Sequence, residues 1–167
     1  VDGTRLNEPW FKGPFGIANY VRHFFRPAPT RQVDWTFPLD YKNVHFEDTI
    51  PETKAVQDLI DRLNPKFLYS LHNSAFGGVY WYVTHPFEED FYQGLRDVAT
   101  KNGLPVDLGE PEAPYITRLS PAIYKNISQA DTYEYYASYG EEHPERLIPC
   151  GDCSASYGLD RCNAFTL

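Results

Sequence analysis

The stretch Thr49-Ile50-Pro51-Glu52-Thr53-Lys54-Ala55, carried on through Lys66-Phe67-Leu68-Tyr69-Ser70-Leu71-His72-Asn73, decides how the chain reads. Thr49 or Asp48 is placed to cap a helix whose first turn holds Pro51 and Glu52. Ala55, Val56, Leu59, Ile60 and Leu63 then recur at helical spacing, which predicts one buried face. Asn64-Pro65 stops the helix, because proline disfavours the α conformation of the residue before it. Phe67–Leu71 is a short apolar run, the pattern of a strand covered on both faces. His72, Asn73 and Ser74 follow it directly. In an open α/β sheet, ligands collect where strands end at their carboxyl side.

Outward from this block the chain keeps alternating. Gly77-Gly78 predicts a turn, and Val79–Val83 a second strand rich in β-branched and aromatic residues. Thr84 is read as the cap of a second helix, with Phe87, Phe91, Leu95 and Val98 inward and Gly103 at its end. A proline-studded loop occupies 104–120, a third helix 128–139, a loop 140–152 and a final strand 164–167. Residues 1–48 lack periodicity and read as extended loops with a short strand near Gln32–Thr36. The expectation is one domain over residues 1–167, of the α/β class, layered α/β/α around a mixed, mostly parallel sheet.

Composition narrows the function. The formal charge of −8 argues against a nucleic-acid backbone and an anionic membrane surface, both of which need clustered Lys and Arg. No apolar run reaches the roughly 18 residues that suggest a membrane-spanning helix. Methionine is absent, and Val1-Asp2-Gly3-Thr4 and Asn163-Ala164-Phe165-Thr166-Leu167 both read as the interior of a longer chain. The cysteines are Cys150, Cys153 and Cys162, an odd number that closes no disulfide framework. A zinc reading of Cys150 and Cys153 with His143 lacks a fourth ligand, so one local disulfide or three free thiols is the expectation. Asn126-Ile127-Ser128 matches a glycosylation sequon, a pattern that often arises by chance.

His72 is the leading candidate for chemistry. A lone histidine is more often bonded to backbone in a core or turn, but the polar groups after a buried strand shift this one toward a metal-ligating role. The run from Pro51-Glu52-Thr53 to Ser70-Leu71-His72 resembles the zinc carboxypeptidases of the carboxypeptidase A-like family, in which an E-T-x-A helix leads to a strand ending S-x-H. Val1-Asp2-Gly3 resembles the end of that family's N-P-D-G segment, Phe25-Arg26 its W-R step, and Val33-Asp34 the opening of V-D-x-N-R-N-F. Tyr157-Gly158-Leu159-Asp160 resembles its G-S-x-D turn, and Phe165-Thr166-Leu167 its F-T-x-E strand.

The resemblance implies a carboxypeptidase-like fold and a hydrolase acting on peptide or protein substrates with zinc as cofactor. His72 falls at a zinc ligand, Arg26 at the arginine that steadies the oxyanion (with Arg22 as fallback), and Tyr157 near the tyrosine that covers substrate. Asn73, Thr36 and Leu159 fall at substrate-binding positions; an apolar Leu159 at the pocket bottom favours apolar side chains. The family's H-x-x-E, which supplies two further ligands, and the glutamate after F-T-x are not in the chain. Trp35-Thr36-Phe37-Pro38 stands where the family has Asn-Arg after V-D, which removes its carboxylate clamp there, although Arg31 is a neighbouring substitute. His85-Pro86-Phe87-Glu88 also spells H-x-x-E, but it follows His72 and reads as helix-capping chemistry. Two alternatives belong to other classes. One is a non-catalytic binding module using Tyr80, Trp81, Tyr82, Tyr133, Tyr135 and Tyr136 as platforms, and the other a pseudoenzyme with an aromatic-lined cleft that has lost its metal.

Overall fold

Residues 6–72 and 77–167 are described by a computed structural model. Glycine and proline break residues 6–31 into two short helices, α1 (Glu8–Lys12) and α2 (Ile17–His23), where extended chain was expected. They pack mainly on each other: Trp10 lies edge-on to Phe15, Tyr20 and Phe24, and Tyr20 stacks on Phe24. Asn7, which is buried, closes this pair through its side chain, donating to Phe25 O and accepting from Phe25 N, each at 2.7 Å.

The strand expected near Gln32–Thr36 is instead a 3-10 turn, Val33–Trp35, and the first strands come later. They are β1 (Leu39–Tyr41) and β2 (Val44–Phe46), an antiparallel pair joined by Lys42-Asn43. Helix α3 (Pro51–Leu63) begins and ends where the sequence indicates, with Asn64 in the left-handed conformation at its end. Neither Thr49 nor Asp48 caps it; Ile50 holds that position without a side-chain bond. Its buried residues are Thr53, Gln57 and Ile60, while Leu59 and Leu63 stay exposed. The helix is rotated from the expected face because the Thr53 hydroxyl has partners inside: Thr36 Oγ1 at 2.6 Å and Val33 O at 3.1 Å.

The expected buried strand is shorter and more open than its apolar run implies. β3 covers Phe67–Leu68, and Leu71 is 82% exposed. β3 pairs in parallel with β7 (Phe165–Thr166), leaving its other edge unpaired among the described residues. A three-stranded sheet places β6 (Ile123–Lys125) between parallel β4 (Trp81–Val83) and antiparallel β5 (Arg118–Ser120). The backbone bond from Thr84 N to Thr166 O, 3.3 Å, ties β7 to the end of β4.

Helix α4 (Glu89–Lys101) starts five residues after Thr84, the expected cap, and buries Tyr92 and Ala99 while Val98 stays exposed. Helix α5 (Gln129–Ser138) starts at a capping box built by Ser128 and Asp131. A 3-10 turn (Pro144–Leu147) and helix α6 (Ser154–Cys162) complete the chain. The class is therefore mixed α/β, with six α-helices and three small sheets among the described residues. Two apolar clusters hold it. One joins Val44, Tyr133 and Ile148; the other joins Val83, Tyr92 and Ile123, with Phe165 and Leu167 packed against it.

Candidate functional site

His72 lies just past β3, and the Ser70 N–H bond to Leu167 O (2.9 Å) keeps the intervening chain on the ladder. Its ring is two-thirds exposed (66%), and Nε2 stands 3.7 Å from Asp34 Oδ2. Helix α3 sets the place of that carboxylate. Thr53 anchors the Val33–Trp35 turn through Val33 O, and the turn carries Asp34 toward the histidine. The imidazole is thus neither enclosed among apolar side chains nor isolated; it faces an acid at the edge of the sheet.

The same turn borders a groove of about 450 Å³ lined by Arg26, Gln32, Trp35, Gln129, Pro149 and Cys150. A second concavity, about 370 Å³, opens beside Thr84, Lys125 and Asn126, at the carboxyl ends of the parallel strands β4 and β6. Tyr157, Leu159, Asp152 and Asp131 also line it. The two share a wall, because Gln129 lines the groove while its backbone N–H donates to Asp152 Oδ2 (3.3 Å) in the cavity.

Tyr157 and Leu159 lie within helix α6, not in the turn expected of Tyr157–Asp160. The Tyr157 hydroxyl is 3.0 Å from both carboxylate oxygens of Asp61, to which Arg161 Nε also donates at 3.0 Å. Arg161, and next the tyrosine, hold the Asp61 carboxyl below its ordinary range, while burial and Asp61 push the Tyr157 hydroxyl up. Tyr157 therefore keeps its proton at neutral pH and uses its hydroxyl to tether α6 to α3.

Thr36 presents no surface to a ligand. It is 0% exposed and bonded to Thr53 and Gln32 O, so its role here is to lock the turn that bears Asp34. Asn73 lies outside the described residues. The second H-x-x-E is otherwise engaged, as His85 stands 3.0 Å from Thr84 Oγ1 and 3.3 Å from Asn163 Oδ1. Glu88 stands at the N-cap position of α4, the helix N-terminus expected of it, without a side-chain cap bond. All three cysteines are free thiols, one of the two outcomes expected. Burial raises the thiols of Cys150 and Cys153, and His143 pairs with Glu145 at 3.1 Å.

Sequence reasoning passed over Asp152 as a site residue. It is buried, yet its carboxylate accepts from Cys153 N (2.8 Å) at the start of α6 and from Gln129 N at the start of α5. Burial raises its pKa, and those amides and Ser156 oppose the rise. Its signal was an aspartate two residues before a helix, where a carboxylate meets unpaired N–H groups.

Among the described residues no three His, Cys, Asp or Glu side chains gather as around a metal ion. His72 with Asp34 offers two donors, fewer than the three protein ligands of a catalytic zinc site, so these residues do not by themselves make one. What the arrangement holds is an accessible imidazole beside a carboxylate, an arginine in a groove, and a cavity lined in part by a buried acid. No protein-family model, curated protein or solved structure matches the chain.

Proposed function

We propose that the chain forms part of the catalytic region of a zinc-dependent peptidase of the metallocarboxypeptidase type. The reading rests on the sequence block ending at His72, and one observation carries it: the His72 imidazole is open to solvent at the carboxyl end of a strand, with Asp34 beside it. In this reading His72 is one zinc ligand and Asp34 orients its ring. Arg26, in the groove that Trp35 also lines, steadies the oxyanion formed from the scissile carbonyl. The cavity beside Leu159 and Tyr157 receives a substrate side chain. Zinc, when bound, supplies a Lewis acid and a water of lowered pKa. The same reading joins β3, β7, β4 and β6 into one layered α/β/α sheet, supported by two parallel pairings and the Thr84–Thr166 backbone bond.

The test is zinc content and hydrolysis of peptides with free or amidated C-termini, measured on the protein expressed from its native gene. Wild type should carry stoichiometric zinc and cleave; His72→Ala should lose both. Zinc retained in full by His72→Ala removes His72 from the site. A zinc-free, inactive wild type ends the peptidase reading. Arg26→Ala should lower kcat more than it raises KM.

A non-catalytic binding module is the second reading, and the rings of Tyr41 and Tyr157 at the cavity favour it. Peptide binding by a zinc-free wild type without cleavage would decide for it.

A further inference from the structure

The hairpin α1–α2 is built as a unit apart from both apolar clusters. None of its helical residues is buried, and it is held by the Trp10, Phe15, Tyr20 and Phe24 rings and by the Asn7 clamp on Phe25. Its outer side is apolar: Phe11, Phe15, Ile17 and Val21 are exposed, Ile17 by 81% and Val21 by 74%. Ile17 and Val21 are four residues apart and so share one helix face. Folding has already fixed these side chains outward, so presenting them to a partner requires little further ordering.

The segment that carries this face is opposite in charge to the chain as a whole. Across residues 6–31 the single acid, Glu8, is ion-paired with Lys12, which leaves Arg22, Arg26 and Arg31 as the excess charge of this segment in a chain of net charge −8. Electrostatic reach in physiological salt is about 8 Å, so a surface touching the hairpin responds chiefly to these local cations. Exposed aromatic and branched apolar side chains flanked by Lys and Arg form the pattern that lies in a bilayer interface, with rings among the acyl boundary and cations at the phosphates. No helix among the described residues is long and apolar enough to cross a membrane, so this would be contact with one leaflet.

We propose that the α1–α2 hairpin docks the protein on anionic lipid bilayers, with Phe11, Phe15, Ile17 and Val21 entering the interface and Lys12 and Arg22 at the headgroups. The proposal does not depend on the peptidase reading; Arg26 and its fallback Arg22 figure in both, and the test varies neither. The charge of the whole chain, which argues against such a surface, hides it because the cations are segregated in one short segment.

The test is flotation of the full chain with vesicles of pure phosphatidylcholine, and with vesicles in which about a third of the lipid is phosphatidylglycerol. Binding should appear with the anionic vesicles alone and fall steeply as salt shortens the Debye length to about 3 Å. The double variant Ile17→Ser, Val21→Ser should bind about tenfold or more weakly with an unchanged unfolding midpoint, because both side chains already face solvent. Phe11→Ser, at a third exposed position, should do the same. Absence of vesicle binding, equal binding to both vesicle types, or undiminished binding by the variants overturns the proposal. So does a concentration-dependent dimer that the serine variants abolish while vesicles capture nothing.

Discussion

Asp152 sits where the starts of α5 and α6 converge, and its two amide partners do not fully offset its burial. The raised pKa means that the native state holds the proton more tightly than the unfolded chain does. The stability this contributes is complete below the ordinary aspartate pKa, about 4, and is lost as pH rises through the raised native value. Asp152→Asn removes that dependence. Urea unfolding at about pH 4 and pH 7 should show wild type losing ground to the variant as pH rises; a difference constant with pH would contradict it. The Thr36–Thr53 hydroxyl pair is a second buried polar contact with a defined cost. Thr53→Val leaves Thr36 and Val33 O short of a partner and should destabilise by about 1–3 kcal/mol in the same assay. Both residues look ordinary in the sequence. A threonine in a helix and an aspartate before one gain their meaning from Val33, Thr36 and Gln129, which lie at a distance along the chain.

At the scale of elements, the segment Cys150–Cys153 threads against Phe37 through an antiparallel bridge, Phe37 N to Asp152 O at 3.1 Å and Asp152 N to Phe37 O at 2.9 Å. Gly151 makes that approach possible. A Cβ there would lie 2.0 Å from Phe37 O, a backbone atom that cannot turn aside. Gly151→Ala should therefore cost about 1–3 kcal/mol or more, read as a lowered thermal midpoint. Gly16→Ala, which meets no atom within 4 Å, should leave that midpoint nearly unchanged. The bounds of α3 and the start of α5 were legible because proline, asparagine and serine act locally, whereas the start of α4 was expected five residues too early and α6 was read as a turn at Tyr157–Asp160. The burial of helix faces was not legible. Leu59 and Leu63 carry the apolar period of α3, but Thr53 and Gln57 occupy the interior because the neighbouring turn offers hydrogen bonds there. The two short helices of residues 6–31 were missed because five to seven residues hold too little periodicity to read.

Across the whole molecule, stability is expected to be uneven. The cluster of Val83, Tyr92 and Ile123 ties β4, β6 and α4 together, and Phe165 touches Phe67, Phe87 and Phe91 to bring β7 into it. The α1–α2 hairpin shares neither cluster. Native-state hydrogen exchange should show α1 and α2 amides opening at far lower free energy than those of β4 and β6. Ile123→Ala should lower global stability by about 2–5 kcal/mol while leaving exchange in the hairpin unchanged. A common opening free energy for hairpin and sheet would show that the two unfold as one.

The amino-acid order by itself determined the mixed α/β class, the span of α3 and the position of His72 after a strand, since all three follow from local period and from what proline and polar residues forbid. Tertiary structure alone decided which atoms meet. It set Asp34 against His72 through the Thr53-anchored turn, enclosed Thr36, committed the Tyr157 hydroxyl to Asp61, and buried Asp152 between two helix starts. Each of these depends on contacts between segments far apart in the chain, and a linear pattern carries no distance between such segments.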